Sequence, residues 1–217
     1  CHIDILQALG LMAPKLDWSQ VAALLLLLGA LVVGLGGYVR RFAPDVWADH
    51  RRTGLLCAAL VLATAGFHLA LRWSVYGAIT LGISTALAMM VAMLLDTRLA
   101  VVFSTALGLL AGIVATGSDA RLVIATILCS AFAAFIVATS GGRSFTIARA
   151  AGLVGVSNAV IYLITSEVFG LTLSINEIVG AALAGLIAAS IAVVGVMAIE
   201  RVVGVVTDLR LLELAHP

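Results

Sequence analysis

The sequence predicts an all-α, polytopic membrane protein built as a bundle of seven transmembrane helices. Of its 217 residues, 63% are hydrophobic and only 11% charged, whereas soluble domains average roughly 45–50% apolar and 25% charged residues. The 21 glycines lie mostly inside long apolar runs, and the three prolines all lie outside them. This composition excludes a water-soluble globular domain.

Seven apolar runs are long enough to cross a membrane, because a helix of roughly 20 residues spans the hydrocarbon core and satisfies its own backbone hydrogen bonds there. We place these spans at 21–39, 53–71, 75–95, 99–116, 122–139, 147–169 and 178–199. The polar breaks at 96–98 and 117–121 are short, so the helices on either side of each break are predicted to be antiparallel neighbours in one bundle.

The distribution of Lys and Arg predicts the orientation, since cytoplasmic loops carry the excess of these residues. Nine of the twelve fall on one side of the predicted membrane and three, Lys15, Arg72 and Arg121, on the other. The N-terminus is therefore predicted outside and the C-terminus in the cytoplasm. Trp and Tyr residues occur at both predicted interfaces, which is typical of membrane proteins.

The predicted domain organisation has three parts. Residues 1–20 are the end of an extracytoplasmic region, 21–200 form the seven-helix domain, and 201–217 are a cytoplasmic connector. The sequence does not begin with Met, and its first apolar run lacks the preceding basic region of a signal peptide. We therefore expect this chain to be a piece of a longer protein.

Several membrane chemistries are disfavoured by missing residues. The only lysine, Lys15, precedes the first span, so no retinal Schiff base is expected, and His68 is the only histidine within a span, which argues against bis-histidine haem. The spans lack the paired carboxylates of an aspartyl protease, and Ser84 with His68 is too weak a pair for a serine protease. The three cysteines are scattered, so they predict neither a disulfide framework nor a metal site. A net charge of +1 argues against a nucleic-acid partner.

Few polar side chains remain within the spans. His68, Arg72 and Glu167 are predicted at the outer membrane face and form a candidate outer polar cluster, since ionisable groups in membranes often mark function. The alternative interpretation is that they are ordinary interfacial residues or an interhelical pair. Asn158 lies mid-span and is interpreted as an interhelical hydrogen-bonding residue rather than a ligand.

Small residues at four-residue spacing predict close helix packing. Ala181, Gly185 and Ala189 repeat in the last span, and Gly108 and Gly112 in the fourth. A transporter site would be indicated by paired broken helices in two repeat halves, which the sequence does not show. Because these features are missing, a small-molecule transporter or channel subunit is the weaker, alternative function.

The last span continues into a charged, amphipathic segment that by itself predicts a connector. Its residues include Glu200, Arg201, Gly204, Thr207, Asp208, Leu209, Arg210, Leu211, Leu212 and Glu213. This segment resembles the junction between the membrane bundle and the cytoplasmic HD domain in the seven-transmembrane HD family, the PgpH-like phosphohydrolases. The segments 38–47 and 88–100, and Arg143, resemble the same family. Met197 and Val203 depart from it, because members often have proline and phenylalanine there.

The resemblance implies a function as the membrane sensor and transmission module of a bacterial cyclic-dinucleotide phosphodiesterase acting on a substrate such as cyclic di-AMP. The catalytic HD domain, with two divalent metals, is expected beyond residue 217, so this chain itself is predicted to have neither catalytic activity nor a cofactor. The expected partners are the lipid bilayer, the protein's own extracytoplasmic and HD domains, and an unknown small-molecule signal. The small-residue faces are also compatible with a homo-oligomer. The expected location is the bacterial cytoplasmic membrane.

The resemblance also makes the junction a candidate coupling segment. No long flexible linker separates Arg201 from Thr207, so a movement of the last span is expected to be transmitted to the segment that follows it. Thr207 or Asp208 is predicted to cap a short following helix and fix its direction. The alternative interpretation is an amphipathic surface helix without a coupling role.

Overall fold

A computed structural model describes residues 18–73, 76–115, 120–140, 144–170 and 174–203. The chain divides into two compact units, Cys1–Gly34 and Leu35–Pro217. The first unit is described through helical residues 18–34, and the second contains the bundle discussed below. All regular structure in the described residues is helical.

Within the described residues, seven long helices and one short helix follow one another. They are α1 (Trp18–Phe42), α2 (Pro44–Ala48), α3 (His50–Ala70), α4 (Tyr76–Leu94), α5 (Thr97–Val114), α6 (Ala120–Ser140), α7 (Ser144–Val168) and α8 (Ile175–Val203). Each predicted span falls on one long helix, with ends displaced by a few residues. The short helix α2 was not predicted; it begins at Pro44, whose fixed backbone angle suits a first helical position.

Side-chain caps mark several helix ends. Asp49 accepts a hydrogen bond from the Arg51 backbone N–H at 3.0 Å and starts α3, and Asp96 does the same for Arg98 at 3.3 Å at the start of α5. These bonds satisfy N–H groups that lack a partner within the helix. Gly170 follows α7 with a φ of +65°, a left-handed conformation that glycine adopts at helix ends without steric cost.

The central element of the second unit is α4, which packs against α3, α5, α6 and α8. Helices α6 and α7 pack together, and α7 packs against α8, so α4, α6, α7 and α8 surround a common core. Among the described residues, two clusters of buried side chains fill this core at different levels, one containing Leu81 and Tyr162 and the other containing Met89 and Val154. Polar side chains close to α4 therefore lie deep within the bundle.

Large apolar side chains also cover the outside of the helices. Phe132, Phe135, Ile187, Ile191 and Val194 are more than half exposed, which in water would be a large apolar surface but in lipid is the expected outer face. Six helices of the described residues, α3 to α8, are long and apolar enough to cross a membrane. The first predicted span lies within α1, although the side chains of its first turns are outside the described residues. The predicted all-α polytopic bundle is confirmed.

Candidate functional site

Asn158 lies fully buried on α7 at the centre of the bundle. Its amide Nδ2 donates to Oγ1 of Thr85 on α4 at 3.3 Å, and its backbone carbonyl accepts a weak contact from Sγ of Cys129 on α6 at 3.9 Å. Among the described residues its Oδ1 atom, also buried, has no hydrogen-bond partner. Asn158 therefore links α7 to α4 through its side-chain amide and contacts α6 through its backbone carbonyl.

The small residues of the last span form the contact between α8 and α7. A Cβ atom built on Gly185 would lie 2.8 Å from Cα of Gly155 and 2.9 Å from the carbonyl oxygen of Val154. Both distances are shorter than van der Waals contact, so the two backbones touch and only glycine fits at this position. Ala181 and Ala189 are buried on the same helix, one in each core cluster.

Gly108 and Gly112 perform the same packing role between α5 and α6. A Cβ on Gly108 would overlap the Ile127 side chain and lie 3.0 Å from the carbonyl oxygen of Val123, and one on Gly112 would lie 2.5 Å from Cγ2 of Val123. These glycines therefore act in helix packing rather than in chemistry.

An arginine is held at the end of the bundle where α6 begins. Arg121, in the first turn of α6, donates from Nη1 to Oγ of Ser166 at 3.3 Å, and its guanidinium carbon lies 5.1 Å from the centroid of the Tyr162 ring. A cation at this distance is attracted by the electron-rich ring face. The Tyr162 ring is buried in the core, so the arrangement joins the bundle surface to its interior.

The predicted outer polar cluster lies at this same end. His68 is near the end of α3, Arg72 follows α3, and Glu167 is near the end of α7; all three are exposed. Within the described residues no ion pair or hydrogen bond joins their side chains to one another, and α3 and α7 are not among the closely packed helix pairs. The functional role of these residues stays a prediction.

Hydroxyl groups in the core mostly bond to their own helices, as in Ser84 to the Leu81 carbonyl at 3.0 Å and Ser104 to the Ala100 carbonyl at 2.8 Å. Ser84 is therefore engaged locally, while His68 is exposed on another helix, and the two do not form a nucleophile and base. Across the described parts of the chain, no group of three or more His, Cys, Asp or Glu residues could hold a metal ion.

An apolar groove of about 370 Å³ lies between α3, α4 and α8. Leu62, Gly82, Ile83, Ala184 and Ile191 are among its lining residues, all of which are apolar. Because its side chains offer no hydrogen-bonding group, its chemistry suits hydrocarbon rather than a polar ligand.

The junction is described only in part. Arg201 is exposed on α8, which continues as helix to Val203, and Glu200 is helical without a described side chain. Gly204, Thr207, Asp208, Arg210, Leu211, Leu212 and Glu213 lie outside the described residues, so their coupling and capping roles stay predictions.

The pattern of helices can be compared with known families. Residues 18–207 match the family described as a 7TM receptor with intracellular HD hydrolase. The chain belongs to this family. The match covers the seven-helix region and ends within the junction, so this chain carries the 7TM part of the family's architecture. No curated protein and no solved structure gives a significant match.

Two features of this 7TM domain were missed by sequence analysis. Arg121 was assigned to a loop, and Thr85 was not recognised as the partner of Asn158. The four-residue spacing of Tyr162 and Ser166 places both on one face of α7, which was the available signal for the arginine site. Spacing within one helix does not identify the neighbouring helix, so neither pairing could be derived.

Proposed function

We propose that this chain is the membrane sensor and transmission module of an HD-family phosphodiesterase that hydrolyses a cyclic dinucleotide such as cyclic di-AMP. The observation that carries the proposal is the family match over 18–207. The structure of α8 supports it, because the apolar part of this helix ends at Ile199 and the helix continues without a break to Val203. A continuous helix transmits displacement more directly than a flexible linker.

The proposed orientation places the N-terminus outside and the C-terminus in the cytoplasm of a bacterial inner membrane, as the asymmetry of Lys and Arg favours. In this orientation Arg121 and the outer polar cluster of His68, Arg72 and Glu167 lie at the outer end of the bundle. Arg201 then faces the cytoplasm, where an HD hydrolase would follow.

The proposed partners are the lipid bilayer, the extracytoplasmic and HD domains of the same protein, a small-molecule signal, and a second copy of the chain. Two divalent metals are proposed for the HD domain, as the family resemblance implies. When bound there, metals of this kind polarise a phosphodiester and activate water. The role of this chain is to hold and move the hydrolase rather than to provide ligands.

The proposal is tested with the purified full-length protein in lipid nanodiscs, supplied with Mn²⁺ and cyclic di-AMP or other cyclic dinucleotides. We expect hydrolysis to a linear product, and no hydrolysis by residues 1–217 alone. Absence of activity on every cyclic dinucleotide, together with solute uptake by proteoliposomes of this chain, would instead establish the transporter alternative.

A further inference from the structure

Helices α4 and α7 pack against α8 at the same level of the bundle. On the α4 side, a Cβ built on Gly82 would lie 3.4 Å from Cβ of Ala184. On the α7 side, the next residue, Gly185, meets Gly155 with the backbones in direct contact. The backbones in direct contact leave no room for closer approach of α8 to α7, whereas the α4 side is in ordinary van der Waals contact. Helix α8 is therefore held at Ala184–Gly185 mainly by α7, with α4 packed on its other side.

The two helices that grip α8 are tied to each other by the central hydrogen bond. Asn158 follows Gly155 by three residues on α7, and Thr85 follows Gly82 by three residues on α4, so each lies about one turn from its glycine. The bond from Asn158 Nδ2 to Thr85 Oγ1, 3.3 Å long, thus joins α4 to α7 beside the contact point. This bond holds the two helices at a fixed separation around α8.

On either side of this point, the contacts of α8 with α4 differ in character. Towards the α8 N-terminus, a Cβ on Gly180 would lie 3.4 Å from Cβ of Ala78, a contact between small groups. Towards the C-terminus, a Cβ on Gly195 would lie 2.8 Å from Cε of Met90. Met90 and Met93 pack against the cluster that contains Met89 and Ala192. Methionine side chains adapt their shape readily, so this half of α8 rests on a deformable surface.

We infer that α8 works as a lever whose fulcrum is Ala184–Gly185, held between Gly82 on α4 and Gly155 on α7. Displacing the 175–180 end away from α4 moves the 198–203 end towards α4, where the methionines yield. The role of this lever as a relay to an HD domain rests on the proposed function. The movement of α8 itself does not depend on that function. With a rise of about 1.5 Å per residue, Ile175 lies about 15 Å and Ala198 about 20 Å from the fulcrum.

The experiment uses spin-label distance measurements on residues 1–217 in lipid nanodiscs, with Cys1 and Cys57 replaced by serine and buried Cys129 retained. One label pair, Ile124 with Ile175, reports the 175 end of α8 relative to α6. A second pair, Thr139 with Ala198, reports the other end; all four labelled side chains are exposed. Gly180→Leu places a wedge between α8 and Ala78, and Gly180→Val is a smaller wedge of the same kind.

We expect the wedge to lengthen the Ile124–Ile175 distance and shorten the Thr139–Ala198 distance, the second shift being about 1.3 times the first because of the arm lengths. Val179→Phe is the matched control, since the neighbouring Val179 side chain is about half exposed; it should move neither distance. Shifts of the same sign at both ends, or an unchanged Thr139–Ala198 distance with both wedges, would overturn the lever.

A second variant tests the fulcrum itself. Thr85→Val keeps the shape of the side chain but removes the acceptor for Asn158, so in the Gly180→Leu background most of the Thr139–Ala198 shift should be lost. A shift of full size would show that the central bond does not hold the fulcrum. These distance measurements need no hydrolase, so they test the lever independently of the proposed function. If the two distances shift in opposite directions but the full-length protein hydrolyses no cyclic dinucleotide, the proposed function is refuted and the lever still holds.

Discussion

Asn158 illustrates the cost of placing a polar side chain in a membrane bundle. An amide that lacks partners in hydrocarbon is destabilising by several kcal/mol, and interhelical bonds recover only part of that energy. Its Nδ2 donates a hydrogen bond to Thr85, whereas its buried Oδ1 has no hydrogen-bond partner among the described residues. The residue therefore contributes more to the arrangement of three helices than to their total stability.

Removing the acceptor of the central bond should destabilise the bundle measurably. We expect Thr85→Val to lower the free energy of unfolding by about 0.6–1.7 kcal/mol, the range of interhelical hydrogen bonds in membranes. Unfolding in mixed micelles measures this change. Thr105→Val is the control, because Thr105 is exposed and its hydroxyl bonds to Val102 of its own helix. Equal effects in the two variants would contradict the assigned role of the bond.

The outer polar cluster is tested by function rather than by stability, since its side chains are exposed. His68→Ala and Glu167→Gln in the full-length protein should each change how hydrolysis responds to an external signal or to external pH. Hydrolysis rates with the outside and inside buffers varied separately provide the measurement. If both variants respond as the unmodified protein does, these residues are ordinary interfacial groups.

At the scale of helices, pairs of glycines determine which surfaces come together. The four-residue spacing of Gly108 and Gly112 predicts a packing surface, and in the structure Val123 and Ile127 of α6 lie next to these glycines. The predicted spans at 53 and 99 did not include the helix starts at His50 and Thr97, where Asp49 and Asp96 are the capping residues. The short helix α2 was not predicted, since its five residues lie between two predicted membrane spans.

The close packing of α5 on α6 predicts that adding a single methyl group at Gly108 lowers the stability of the bundle. Gly108→Ala should destabilise the bundle by about 1–3 kcal/mol, since the new Cβ overlaps Ile127 and overpacking has costs of this size. Adding Ile127→Ala should recover part of the loss. Unfolding in mixed micelles is again the measurement.

Gly152→Ala on α7 is the matched control for this substitution. A Cβ at Gly152 would meet nothing within 4 Å, so the greater helix propensity of alanine should stabilise the bundle by about 0.5–1 kcal/mol. The close contact of α5 with α6 would be contradicted if both alanine variants changed the stability in the same direction.

At the scale of the whole molecule, composition and span length were enough to predict a helical membrane bundle. The arrangement within it was not predictable, because the apolar spans are hydrophobic around most of their circumference and their patterns do not single out one buried face. The central position of α4 depends on contacts with four helices. Such contacts between distant segments are not encoded in any single span.

Orientation can be measured directly with single cysteines. We expect a cysteine at Ser118 to react with an impermeant reagent added outside the cell, and one at Asp49 to react only after the membrane is opened. This result follows from the nine-to-three distribution of Lys and Arg across the predicted membrane. The reverse pattern of labelling would show that the N-terminus is cytoplasmic.

The central claim is that α8 carries the state of the membrane bundle to a hydrolase beyond it. Bilayer thickness offers a way to change that state without a known signal, because hydrophobic mismatch tilts transmembrane helices. The test is the rate of cyclic-dinucleotide hydrolysis by the full-length protein in bilayers of short-chain and long-chain lipids, with and without Gly-Ser-Gly-Ser inserted after Gly204. We expect the rate to vary with thickness in the uninterrupted protein, and the insertion to abolish this variation while preserving a basal rate. The claim is contradicted if the protein with the insertion responds to thickness as strongly as the protein without it.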